Sequence, residues 1–228
     1  MVFSLCGLFF VQGCAGVPSA YDYNAYLEHM PRSILVFPPC NESTEVMAPY
    51  IYLSTVTRPL AERGYYVFPV AVIDTLMKEN GVPTPEEMAQ IPLHKIREVI
   101  DPDAVLYMTV KDWGTKYRLI DSVATIHLWG QLVDTDTGAV LWQGERTVVH
   151  SPSQNQGGLV EMLATAVVNQ IVSSIADPSR DVARMTNAQL FLNDYDGLLF
   201  GERHSRYEED QRLYRELMNQ AISEDASP

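Results

Sequence analysis

Between Asp103 and His150, apolar residues recur at every second position, the period of an extended strand with one buried face. Ala104, Leu106, Met108 and Val110 share a face of the first strand, which runs to Trp113-Gly114, where the spacing predicts a bulge. Ala124, Ile126, Leu128 and Leu132 share a face of the second, with Gly130 between them. Asp134-Thr135-Asp136-Thr137-Gly138 makes a turn, and Ala139 to Val149 returns with Leu141 and Trp142. The result is a three-stranded antiparallel meander, whose apolar face has to be covered by other elements.

Upstream the pattern is different. Ser33-Ile34-Leu35-Val36-Phe37 is a continuous apolar run stopped by Pro38-Pro39, which suits a buried strand. Pro49 to Arg63 reads as a helix with Leu53, Val56 and Leu60 on one face and Gly64 at its end, and Pro59 is expected to kink or divide it. Tyr65 to Val70 is a second strand, and short helices follow over Val72–Glu79 and His94–Ile100. Between those two, Thr84 and Glu87 have the spacing of a capping box. After the meander, Gly158 to Ala176 carries the clearest helical period, and Asn187 to Phe200 reads as another helix, ended by Gly201. These elements predict an α/β (α+β) fold: a mixed sheet in the order β-α-β-α-α-β-β-β-α, its meander covered by helices.

The N-terminus adds a separate signal. Phe3, Leu5, Leu8, Phe9, Phe10 and Val11 form an apolar run too short to span a bilayer, followed by Val11-Gln12-Gly13-Cys14. An apolar residue three before a cysteine and a small one just before it are what lipoprotein signal peptidase recognises, so Val11, Gln12 and Gly13 form the recognition sequence and Cys14 the lipid acceptor. Residues 1–13 contain no Lys or Arg, so the basic n-region is missing, which points to a start upstream of Met1. The expected organisation is a signal peptide over 1–13, a lipidated tether over 14–32, an α/β domain over 33–178 and a C-terminal helical extension over 179–228.

The formal net charge of −13 makes nucleic acid and anionic headgroups poor partners, so membrane attachment is expected through covalent lipid. Cys6 lies in the signal and Cys14 accepts lipid, leaving Cys40 alone in the body with no intramolecular disulfide to form. Catalytic motifs are absent: there is no GxSxG, HExxH, GxGxxG, P-loop or CxxC. Histidines 29, 94, 127, 150 and 204 are dispersed in sequence, and only a clustering of His127 or His150 with carboxylates in the fold would point to catalysis. Asp134, Asp136, Gly138 and Glu145 imitate part of a calcium loop, but Gly138 offers no side-chain ligand and Ala139 replaces the usual glycine, so a hairpin turn is expected and no metal or cofactor.

Several stretches together resemble a family of Gram-negative outer-membrane lipoproteins known as a domain of unknown function. They are Ile34 to Pro39 with Asn41-Glu42-Ser43, Thr57 to Val70, Asp103 to Tyr107, and Leu132-Val133-Asp134 through Thr137-Gly138 to Gly144, and the likeness spans roughly residues 14–204. The resemblance implies a domain similar to the periplasmic domain of the curli-secretion lipoprotein and to the N-terminal domain of the Tol-system propeller protein. It assigns no catalytic residues and carries over only the lipidated cysteine, onto Cys14.

The expected function is therefore non-enzymatic: an outer-membrane lipoprotein facing the periplasm, or exposed at the cell surface. It would serve as an assembly or accessory component of an envelope secretion or transport complex. Its partners would be envelope proteins, curli-secretion-type lipoproteins among them, or further copies of itself, and no nucleic acid. Pro38, Pro39, Asn41, Glu42 and Ser43 form a candidate partner-contact loop. The alternative is a periplasmic binding protein for a small or lipidic ligand held between helices and sheet.

Overall fold

A computed structural model describes residues 21–117, 122–150 and 179–225. In chain order the elements are α1 (Asn24–His29), β1 (Ser33–Val36), β2 (Cys40–Asn41), α2 (Ala48–Glu62), β3 (Tyr66–Val67), α3 (Val70–Glu79), α4 (Pro85–Met88), α5 (Leu93–Val99), β4 (Ala104–Tyr117), β5 (Ser122–Asp134), β6 (Val140–His150), α6 (Ser179–Phe191) and α7 (Tyr207–Asp225). The strands form one mixed sheet in the order β3-β1-β4-β5-β6, with β2 also paired to β4. The first three strands pair in parallel and the meander β4-β5-β6 is antiparallel, which is the α/β class the sequence predicts.

The run Ile34 to Phe37 is apolar without alternation because β1 has helices on both sides. Ile34 and Val36 face a core shared with α2 and α6, while Leu35 and Phe37 face a second core formed with α3, α4 and α5. Pro38 and Pro39 have no N–H to donate, so pairing with β4 stops at Val36↔Leu106 and resumes at Cys40↔Thr109.

Pro59 neither divides nor ends α2, which runs unbroken over Ala48–Glu62. The ring lies on the buried face beside Val56 and Leu60, and that packing outweighs one missing N–H. β3 is shorter than expected because Pro69 already caps α3. The Thr84–Glu87 capping box forms as its spacing predicts, with the Glu87 N–H donating to Thr84 Oγ1 at 3.3 Å. The bulge falls at Lys111 and not at Trp113-Gly114, since Val110 pairs with Leu128 and Asp112 with His127. Val110 and Trp113 both point into the core three residues apart, and only an extra residue between them allows it.

Three expectations about the ends change. The stretch 21–32 is part of the body: α1 buries Tyr26, and Tyr23 and Tyr26 are each 1% exposed. The helix expected over 187–200 is α6, displaced toward the N-terminus, because Asn193 accepts the Tyr195 N–H at 2.8 Å and turns the chain. It buries Val182, Ala183, Leu190 and Phe191 against the core shared with α2 and the sheet, so 179–203 is no extension. Residues 1–20, with the signal and Cys14, and the helix expected over 158–176 lie outside the described residues.

On the sheet face carrying α1, α2, α6 and α7, contact is close. Gly144 stands where a Cβ would lie 2.5 Å from the ring of the fully buried Trp142, and the Trp142 indole N–H donates to the Asp196 carbonyl at 2.7 Å. Gly64, at φ +91°, lets the end of α2 touch the 201–204 turn: a Cβ there would lie 2.6 Å from the His204 nitrogen.

Candidate functional site

Among the described residues, the other face of the sheet is only half covered. Helices α3, α4 and α5 pack over β3, β1 and the start of β4 through Ile73, Met77, Met88 and Ile96. Beyond them the outward positions of β4, β5 and β6 alternate with the buried ones: Thr109, His127, Trp129 and Gln131 are half-buried, and Gln143, Glu145 and Thr147 are exposed. Where this open face meets the α4–α5 link there is a groove of about 450 Å³, lined by Phe37, Pro38, Cys40, Tyr107, Trp129 and Gln131 among others.

The loop singled out in the sequence is divided by this geometry. Pro38 lines the groove and Pro39 is buried, whereas Asn41, Glu42 and Ser43 follow Cys40 outside its lining, Asn41 lying opposite the core-facing Val110. Asn41 and Ser43 organise their own loop. Asn41 Oδ1 accepts from the Ser43 N–H at 3.1 Å and from its hydroxyl at 2.7 Å, and Asn41 Nδ2 donates to the Glu45 carbonyl at 2.9 Å. The Glu42 N–H donates to the Val110 carbonyl at 2.9 Å, which ties the loop to β4. Burial raises the Cys40 thiol pKa, and the nearby Glu86 and Glu42 carboxylates push the same way, so it stays protonated.

Further along the open face is a charged cluster that the bulge helps create. With Lys111 as the extra residue, its Nζ reaches Glu145 Oε1 at 2.9 Å, and the same oxygen lies 2.6 Å from His127 Nε2. The hydrogen bond from Lys111, then that from His127, lowers the Glu145 pKa, so this carboxylate is held ionised. His127 has thus met a carboxylate, but on an exposed strand surface with its partner fixed as an anion. The arrangement is a cross-strand ion cluster, and nothing in it positions a nucleophile.

The other expected or excluded sites are dispersed. His29 lies 3.4 Å from Asp134, and His204 stacks on Phe200 at 3.8 Å, while His94 is exposed on α5. Asp134 Oδ1 accepts from the Asp136 and Thr137 N–H groups and from the Thr137 hydroxyl, and Asp136 pairs with Arg97. Glu145, opposite Trp129, is five residues along β5 from Asp134, roughly 16 Å at strand spacing, so the calcium-like residues belong to a hairpin turn and a separate ion cluster. Among the described residues no group of three or more His, Cys, Asp or Glu could hold a metal ion. Val11, Gln12, Gly13 and Cys14 lie outside the described residues.

Sequence reasoning missed Trp129, Gln131 and Tyr107. The signal was available: all three fall out of phase with the buried residues of their strands, and a tryptophan on the outward side of a meander is out of place unless something meets it.

Comparison with known proteins places the chain. The family described as "Putative lipoprotein GNA1162-like" matches residues 21–203. The "Putative lipoprotein NMB1124/NMB1162" of Neisseria meningitidis serogroup B (strain ATCC BAA-335 / MC58) is 38% identical over 185 residues, covering 80% of this chain and 86% of that protein. The crystal structure of lipoprotein GNA1162 from Neisseria meningitidis is 40% identical, with a TM-score of 0.52, over 63% of this chain and 99% of that one. The PelC dodecamer from Paraburkholderia phytofirmans is 18% identical, with a TM-score of 0.39, over 63% of this chain and 86% of that one, too distant to carry an argument. Among the described residues no helix is long and apolar enough to cross a membrane.

Proposed function

The chain belongs to the GNA1162-like lipoprotein family, and on that premise we propose that it is an outer-membrane lipoprotein, anchored through Cys14 and facing the periplasm, that serves as a non-enzymatic accessory component of an envelope secretion or transport complex. The observation that supports the role most directly is the sheet face left open among the described residues, with its groove. Trp129 and Tyr107 stand beside Gln131 and the Lys111–Glu145–His127 cluster. An aromatic anchor bordered by amides and paired charges is the composition of a protein-binding surface. Val11-Gln12-Gly13-Cys14 supports the anchor.

The test is site-specific photocrosslinking from Gln131 in intact envelopes, with native Cys14 beside Cys14→Ser. A discrete protein adduct formed only by the anchored form is expected, together with loss of lipid mass in Cys14→Ser. Unchanged mass and membrane partition of Cys14→Ser would contradict the anchor, and no adduct would contradict the accessory role.

One observation favours the alternative of a carrier for a small or lipidic ligand. The groove volume of about 450 Å³ is in the range of small-molecule sites. A copurifying ligand in native mass spectra, lost in Trp129→Ala, would select that reading.

A further inference from the structure

Tyr21, the first described residue, is held where three parts of the chain converge. Its hydroxyl accepts the Gln143 N–H at 2.8 Å, and its ring lies 4.6 Å from that of Tyr23. The Tyr23 hydroxyl donates to the Gly197 carbonyl at 2.5 Å, and its ring meets Tyr214 of α7 at 4.8 Å. The Tyr214 hydroxyl donates to the Asp194 carbonyl at 3.2 Å. The chain's entry, the 193–197 turn and α7 therefore share one corner. At its tip Tyr195 is 85% exposed, set by the turn that Asn193 makes.

Chain length decides what this corner faces. Only residues 15–20 separate Cys14 from Tyr21. Seven Cα steps span at most about 25 Å fully extended. An acylated Cys14 therefore holds the Tyr21 corner, at the β6 edge of the sheet through Gln143, within about 25 Å of the bilayer. Tyrosine suits such a boundary, with an apolar ring and a hydroxyl that stays wet. Asp22 and Asp194 are exposed beside it, and the chain carries a net charge of −13, so phosphate-rich anionic surfaces are repelled.

We propose that the Tyr21–Tyr195–Tyr214 corner is a membrane-contact surface that rests on a zwitterionic lipid interface, with Tyr195 entering the headgroup layer. This depends on lipidation of Cys14, as proposed above. It fixes which way the body points: the β6 side of the sheet lies against the bilayer and the β3 side away from it.

The test uses full-length, lipidated protein in phosphatidylcholine vesicles containing brominated lipid, with the native tryptophans as background. Tyr195→Trp is compared with Val72→Trp on α3, another exposed position, near the β3 edge. The tryptophan added at 195 is expected to shift to the blue and be quenched several-fold more than the one at 72, and less so in phosphatidylglycerol vesicles. Equal quenching at the two positions, with lipid confirmed on Cys14 by mass, would overturn the contact surface and leave the lipoprotein reading standing. Absence of lipid on Cys14 would overturn both. Undiminished quenching in phosphatidylglycerol would overturn the zwitterionic preference.

Discussion

The two faces of the sheet are built to different standards, and the contrast separates what holds the fold together from what is left for contact. On the face under α1, α2, α6 and α7, Trp142 is fully buried, Gly144 gives its ring space, and Tyr26, Tyr65 and Tyr23 turn their hydroxyls to one another or to backbone carbonyls. On the other face α3, α4 and α5 pack over β3, β1 and the start of β4, α5 reaches the β5–β6 turn through Arg97 and Asp136, and Trp129 stands half-buried beside charged and amide side chains. Two tryptophans on neighbouring strands thus have opposite surroundings. A residue that meets close packing and a satisfied donor is structural. One that meets a solvent-filled groove is available to a partner.

Substitutions test this division. Trp142→Ala removes the largest fully buried side chain and frees the Asp196 carbonyl, and is expected to cost about 4 kcal/mol in urea unfolding. Gly64→Ala places a Cβ against the His204 backbone at a positive φ, and should cost about 3 kcal/mol in the same measurement. Tyr65→Phe leaves the Leu199 carbonyl and the Tyr26 hydroxyl without their buried partner, for roughly 2 kcal/mol. Trp129→Ala should change stability by less than about 1 kcal/mol while abolishing the crosslink from Gln131. A stability loss equal to that of Trp142→Ala would erase the distinction between the faces.

Asp210 on α7 gives the smallest effect, and its sign is unusual. Burial raises its pKa above the ordinary aspartate value, against the opposing pull of Arg206 and Arg63. The folded state therefore holds this proton more tightly than the unfolded chain, and the stability it contributes is lost as pH rises through the folded pKa. Asp210→Asn should raise the unfolding midpoint at pH 7, and the gain should vanish below about pH 4, where the wild type is protonated in both states. Lower stability of Asp210→Asn at pH 7 would show that the carboxylate's attraction to the arginines outweighs its desolvation.

Much of the covered face could be read from the sequence, because burial writes a period: Ala104, Leu106, Met108 and Val110 announce their strand, and Leu53, Val56 and Leu60 their helix. Boundaries set by single long-range contacts could not. Nothing near Tyr23 says that its hydroxyl meets Gly197, 174 residues away, so 21–32 reads as tether from local sequence. Pro59 follows the same logic, since local chemistry predicts a break and tertiary burial overrides it. The groove was legible in part. Pro38 and Asn41–Ser43 read as a loop, but Trp129 is more than eighty residues away in sequence and meets Pro38 across the groove only through the pairing of β2 and β5 with β4.

The most direct measurement compares photocrosslinkers at Gln131, in the groove, and at Arg184, exposed on α6 over the covered face, in intact envelopes. If the open face is the one that works, Gln131 gives a discrete protein adduct that Trp129→Ala removes, and Arg184 gives none. Adducts from Arg184 with none from Gln131 would contradict it.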